Sequence, residues 1–284
     1  MGRSHPRGRA QARLKVQRVR LPSGVELHYF ERGSGTPLVL LHGGTGDLTS
    51  WEPQVPEFAR RYRVISYSRR YSHPNGNVDV APAYSAYTDA EDLSGLFRHL
   101  RLDKVQLVGT SYGALTALVL AVRRPGCVHR MVLAEPPLHR WVEPQVYQQF
   151  MERVWRPAAQ AFLRRHTRQA MRTLVDGMWG RPVFDRLPPA TVAIMMRNAR
   201  AMKALTTSAD PFPYLPKREV RRLLAPVLLI AGEHAAPIHQ LANRALAGVL
   251  QNVRQETIAG ASHGSPRENP KAFNRAVLRF LENN

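Results

Sequence analysis

The 284-residue sequence is poor in cysteine, in acidic residues and in long apolar runs. Cys127 is its only cysteine, so no intrachain disulfide can form and nothing points to an oxidising compartment. It follows an Arg-Arg-Pro-Gly turn with no obvious partner and is read as inert. No apolar run reaches the roughly 18 residues of a membrane span. The basic opening MGRSHPRGRAQARLKVQ has no apolar segment behind it, which argues against a secretory leader. Residues 1–15 are therefore read as a basic flexible arm, and the expected location is cytoplasmic. The His/Cys/carboxylate spacings of zinc sites are missing, as is a phosphate-binding P-loop, so neither a metal nor a cofactor is expected. Gly33-Ser34-Gly35 begins like a dinucleotide fingerprint, but the third glycine and the following helix are absent.

Acidic residues number 21 against 41 lysines and arginines, a formal charge of +20. A balance this basic is a footprint to weigh for nucleic acid. However, the arginines are scattered in pairs: Arg60-Arg61, Arg69-Arg70, Arg123-Arg124, Arg164-Arg165 and Arg221-Arg222. No nucleic-acid-binding motif accompanies them. Dispersed, solvated charge is the preferred reading, with no specific nucleic-acid partner, no membrane partner, and a surface that attracts small anions.

What is present is an alternation of short apolar strands and amphipathic helices. Residues 16–32 alternate about a Pro22-Ser23-Gly24 turn and predict a hairpin. Strands are expected at 38–41, 62–67, 105–108, 129–134, 226–232 and 253–258. A helix broken by prolines is expected over 48–61, and a loop over 68–87. A capping box at Thr88 and Glu91 precedes a helix with Leu93, Leu96, Phe97 and Leu100 on one face. Asn269 and Pro270 suit the N-cap and first position of a final helix. No strand pattern occurs over 138–217, which reads as a helical cap inserted into a core of residues 16–137 and 218–284. The pattern predicts an α/β fold with a mostly parallel sheet and helices on both faces. Active sites in such sheets lie at the carboxyl ends of strands.

The most informative stretch is Gly109-Thr110-Ser111-Tyr112-Gly113, between the apolar run 105–108 and the small aliphatic run 114–122. Strand, G-x-S-x-G, helix is the context of a nucleophile elbow, in which a sharp turn exposes the serine hydroxyl. The N–H of Tyr112 is then placed to face a developing oxyanion. A serine needs a base, and His263, between the last strand and the last helix, is the candidate. The base needs a carboxylate. Glu135, ending its strand against Pro136-Pro137, is favoured over Glu233, which follows the strand ending at Gly232. The bland alternative for Glu135 is an ion pair, for example with Arg140. His42-Gly43-Gly44 supplies a second oxyanion donor, Gly44 N–H, with Thr45 as the near alternative. His42, Thr45 and Trp179 are expected to contact substrate. Trp155, Met178, Met195, Met196 and Met202 either line an apolar pocket or simply pack, and the 68–87 loop is a candidate second wall.

On these motifs, and on the order Ser…acid…His, the chain resembles the α/β-hydrolase superfamily from about residue 16 onward. The resemblance implies an eight-stranded sheet with an antiparallel strand near its start, and a cap that shapes the substrate pocket. One departure stands out. The family pattern Gly-Glu-x-Asp after the seventh strand has Ala235 at the Asp position. Some members carry the acid after the sixth strand, where Glu135 lies. The implied activity is hydrolysis of an ester or related acyl bond through an acyl-enzyme on Ser111, by a monomer or homodimer acting on a small acyl substrate. Acyl transfer, thioester or C–C cleavage, and a non-catalytic ligand-binding role remain as alternatives on the same fold.

Overall fold

The computed structural model describes residues 15–77 and 82–282. All but the last residue of the expected N-terminal arm lies outside them. Eight strands form one sheet in the order β1-β2-β4-β3-β5-β6-β7-β8. They are β1 Gln17–Arg20, β2 Glu26–Arg32, β3 Pro37–Leu41, β4 Arg63–Tyr67, β5 Val105–Thr110, β6 Val128–Ala134, β7 Val227–Gly232 and β8 Val253–Ile258. β2 runs antiparallel to both its neighbours, and all pairs from β4 to β8 are parallel. Parallel strands buried on both faces read as continuous apolar runs, which is why these strands were legible.

Side-chain alternation divides each run between two cores. Val39, Leu41, Ile65, Leu107, Met131, Leu133 and Leu229 face the helices Ala86–Leu100 and Tyr112–Arg123. Leu38, Leu40, Val64, Val108, Val132, Leu228 and Ile230 face the other way, against Trp51, Phe58 and the Phe273, Val277 and Phe280 stripe of Pro270–Glu282. The Asn269 side chain accepts from Ala272 N–H at 3.2 Å, so the last helix starts as its cap predicts.

Two boundaries move. The helix expected to open at Thr88 begins one turn earlier. Ser85 is its N-cap and Thr88 is the reciprocal member of the box, while Glu91 instead faces Arg123 at 3.3 Å. The helix expected over 48–61 survives only as the short turns Leu48–Trp51 and Val55–Phe58, because Pro53 and Pro56 interrupt it. Between β6 and β7 the described chain is helical and loop-like throughout, including Pro144–Phe150, Arg156–Leu163, Thr167–Trp179, Pro189–Arg197 and Ala199–Thr206.

The turn after β5 is built by close approach. A Cβ on Gly113 would lie 2.3 Å from Leu41 O, and one on Gly109 would lie 2.7 Å from Ala114 Cα. Only glycine lets the helix Tyr112–Arg123 start this near to β3 and fold back onto its own strand. Ser111, between them, sits at φ 51° and ψ −124°, a conformation costly for any L-residue. Its N–H donates to Ala134 O at 2.7 Å, so the ladder to β6 holds the bend.

Candidate active site

Three side chains from separate strand ends meet above the sheet. Ser111 Oγ lies 3.0 Å from His263 Nε2. His263 Nδ1 lies 2.6 Å from Glu135 Oε2. Both His263 and Glu135 are buried. Glu135 Oε1 accepts the Gly232 N–H at 2.7 Å, and Glu135 N–H donates to Ile230 O at 3.2 Å. With its oxygens occupied in this way, the carboxylate faces Nδ1 as an acceptor. That leaves the Nδ1–H tautomer, with Nε2 free to accept from the serine hydroxyl.

The competing carboxylate lies elsewhere. Glu233 is solvent-exposed; its Oε2 accepts Gly260 N–H at 2.7 Å and lies 3.9 Å from His234. Nor is Glu135 held by Arg140, which pairs with Asp210 at 2.8 Å. Gly232 has two duties here. Its N–H fixes Glu135, and a Cβ on it would fall 2.3 Å from Ser262 O, so its bareness admits the loop carrying His263.

Tyr112 opens the helix after the elbow, so its N–H has no acceptor inside that helix. The Gly43-Gly44 turn lies directly against Ser111: a Cβ on Gly43 would be 3.4 Å from Ser111 Cβ. Gly44, Tyr112 and Ser111 share the wall of one cavity, and Thr45 lines its larger neighbour.

His42 does not join them. It is fully buried, with Nδ1 donating to Gly43 O at 2.8 Å and Nε2 accepting from Arg69 N–H at 3.0 Å. Burial, and secondarily the Arg69 charge, pushes its pKa down to about 3, so the ring is neutral and suits both roles. Of the two roles the sequence offers for His42, substrate contact and bracing of its loop, the hydrogen bonds fit the brace of the Gly43-Gly44 turn.

Arg69 is a second correction. The Arg69-Arg70 pair is not dispersed surface charge. The Arg69 guanidinium is fully buried, 2.8 Å from Asp89 and 3.1 Å from the Tyr84 hydroxyl, and lies over the Tyr112 ring at 5.0 Å. Its Nη2 also reaches Gly43 O and Gly44 O at 3.4 and 3.3 Å. Arg70 forms a two-pronged pair with Asp92 at 2.7 and 2.6 Å. The signal available in the sequence was Asp89 and Asp92 on one side of a helix, at i and i+3.

The site opens into a cavity of about 370 Å³ lined by Thr45, Ser111, Met178, Trp179, Met195, His263 and others. A much smaller recess of about 20 Å³ lies on the other side of Ser111, with Trp155, Met178 and Met202 in its wall. Met196 packs against the core instead. The described part of the 68–87 loop lines neither space; it is spent on the buried Arg69, Tyr84 and Asn75 network beside the Gly43-Gly44 turn. Trp179 Nε1 donates to Glu268 at 2.6 Å, and its ring meets His263 edge-on at 5.4 Å.

Two histidines went unnoticed in the sequence. His239 stacks on His263 with ring centres 4.0 Å apart and planes 14° from parallel, and His139 lies 5.8 Å beyond it. Burial, then the charge His263 can carry, pushes the His139 pKa down to about 3 and the His239 pKa well below the usual range. Among the described residues, Glu135, His239 and His263 bring ligand atoms within 4.8 Å of one another. Stacked rings direct their in-plane lone pairs side by side rather than at a common point. Of the three, only His263 and Glu135 share a hydrogen bond; His239 Nε2 donates to Met178 O instead.

One buried charge ties the β6–β7 helices to the loop after β3. Asp47 accepts from Arg197 at 2.7 and 3.0 Å and from Asn198 at 2.7 Å. Burial alone would raise its pKa, but the hydrogen bonds from Arg197, Asn198 and Thr49 outweigh it and hold the carboxyl at about 2. The folded pKa lies below the unfolded one. Asp47 therefore stabilises the fold above pH 4, and that contribution is lost as pH falls toward 2. Urea titrations should place the loss at about 2 kcal/mol relative to Asp47→Asn, whose stability should lack this component of the acid slope.

Comparison with known proteins fits this geometry. The model of the alpha/beta hydrolase family matches residues 38–276. A carboxylesterase of Bacillus subtilis, YbfK, is 26% identical over 247 residues, covering 86% of this chain and 79% of its own. A second B. subtilis protein, the uncharacterized hydrolase YraK, is 32% identical over 132 residues, 45% of this chain and 49% of its own; that match spans about half its length. The crystal structure of an enol-lactonase from Burkholderia xenovorans LB400 superposes with a TM-score of 0.77 at 23% identity, covering 94% of this chain and all of that one. The chain belongs to the alpha/beta hydrolase family. Its relatives include esterases and other hydrolases. No helix among the described residues is long and apolar enough to cross a membrane.

Proposed function

We propose that the protein is a serine hydrolase that cleaves an ester or related acyl bond of a small molecule through an acyl-enzyme on Ser111. The observation that carries this reading is the continuous chain Ser111 Oγ–His263 Nε2–Glu135, at 3.0 and 2.6 Å. As His263 takes the hydroxyl proton, Ser111 Oγ forms a bond to the acyl carbon and the carbonyl π pair moves onto oxygen. Gly44 and Tyr112 N–H groups stabilise that oxyanion. Its collapse breaks the bond to the leaving alcohol, which receives the proton from His263. Water then repeats the sequence: it gives a proton to His263, attacks the acyl carbon, and releases the acid as the proton returns to Ser111. Glu135 holds the imidazole tautomer and offsets the charge of the imidazolium.

The carboxylesterase relative, which matches over most of both chains, supports ester cleavage. A fluorophosphonate should form one adduct, located at Ser111 by peptide mass, with parallel loss of aryl-ester turnover. Labelling elsewhere, or turnover that survives full labelling, would overturn the reading.

A further inference from the structure

We propose that His239 is a positioning residue with two separable duties. Its ring face fixes the tilt of the His263 imidazole, and its Nε2–H anchors the end of the helix that walls the substrate cavity. This rests on the acyl-enzyme reading above.

The first duty follows from what the hydrogen bonds of His263 leave undone. Glu135 and Ser111 hold its ring through Nδ1 and Nε2. Two bonds in the ring plane aim the nitrogens, but hydrogen bonds tolerate bending, so the ring can still rock about the line joining them. A flat ring 4.0 Å away and 14° from parallel stops that motion on one face. His239 comes from the first turn of the helix Pro237–Ala247, after β7, and is itself held. His139 lies 5.8 Å from it and packs against Phe150 and Phe212 at 4.5 and 4.6 Å. Burial, then the charge His263 can carry, keeps the His239 ring neutral. A neutral aromatic face can lie against the imidazolium that forms during the reaction, whereas a second cation at this distance would oppose it.

The second duty follows from the helix end that His239 reaches. The last four carbonyls of a helix lack partners within it. At the end of Thr167–Trp179, Asp176 O accepts from Arg181 N–H at 3.1 Å and Gly177 O from Gly180 N–H at 3.2 Å. Met178 O would next accept from residue 182, which is a proline and has no N–H. His239 Nε2–H supplies the missing donor at 3.1 Å. Among the described residues Nδ1 has no hydrogen-bond partner, so this one bond orients the ring. The carbonyl it holds joins Met178 to Trp179, and both line the 370 Å³ cavity. One side chain thus meets the base with its face and the cavity wall with its edge.

Two variants separate the duties. His239→Gln keeps an N–H donor near the Nε2 position and loses the ring; His239→Phe keeps a ring and loses the donor. With 1-naphthyl acetate as substrate, His239→Gln should lower kcat by about 10- to 100-fold with KM within about twofold, because a misdirected base slows both half-reactions alike. The rate of fluorophosphonate labelling at Ser111 should fall in step. His239→Phe should keep kcat within about threefold and raise KM about fivefold or more, because the cavity wall is released while the base stays aimed. His239→Leu removes ring and donor together and should show both changes, which keeps each duty testable if one variant misfolds. A histidine that only fills space would affect the glutamine and phenylalanine variants alike. Parent-like kcat in His239→Gln, or an equal loss of kcat in His239→Phe, overturns the positioning of the base. Parent-like KM in His239→Phe overturns the anchor. In either case labelling of the parent at Ser111 leaves the hydrolase reading intact, whereas an unlabelled and inactive parent overturns both.

Discussion

Ser111→Ala should lower kcat for aryl esters by about 10⁴-fold or more while the urea midpoint stays near that of the parent protein. The size of the loss follows from what the hydroxyl does alone. On the proposed mechanism every proton that His263 moves follows attack by Ser111 Oγ, so removal of the hydroxyl strands both His263 and Glu135. The residual rate comes from substrate binding and from the two oxyanion amides. The fold should survive, because the elbow is set by Gly109, Gly113 and the Ser111 N–H bond to Ala134 O, none of which alanine disturbs. Alanine meets the same strain at φ 51° as serine. Full turnover by the alanine variant would remove Ser111 from the chemistry.

Glu135→Gln and Glu233→Gln form the second decisive pair. The first should cost about 10³–10⁴ in kcat, the second less than about twofold. Glutamine at 135 fills the same space but withdraws the negative charge that offsets the imidazolium, and its amide can present N–H to Nδ1 and favour the wrong tautomer. Glu233 touches the Gly260 amide at the surface and lies outside the His263 hydrogen bonds. Reversed sensitivities would move the acid to the loop after β7. A pH–rate profile sharpens the comparison: the acidic limb should move for the 135 variant and stay in place for the 233 variant.

The strands and the elbow were legible because buried parallel strands declare themselves as apolar runs and because a tight turn next to packed backbone admits only glycine. Ser111 and His263 were legible from their positions at strand ends, and Glu135 from its rigid Pro-Pro sequel. The histidines 139 and 239 were not. They come from separate elements, and nothing local distinguishes a ring stacked on His263 from a surface one. His42 was half legible: its place beside two glycines marked the loop, but the ring's direction depends on the Arg69 amide 27 residues away. Arg69 itself was misread because a buried guanidinium and a solvated one have the same sequence signature. The partner that decides between them, Asp89, belongs to a helix whose start was placed one turn late.

Gly232 carries no reactive atom, yet its amide and its missing side chain place Glu135 and the His263 loop at once. Any replacement at 232 would shift Glu135 and the loop carrying His263 together. The segment after β7 gives no carboxylate to His263 and acts as a scaffold whose freedom to vary ends at Gly232.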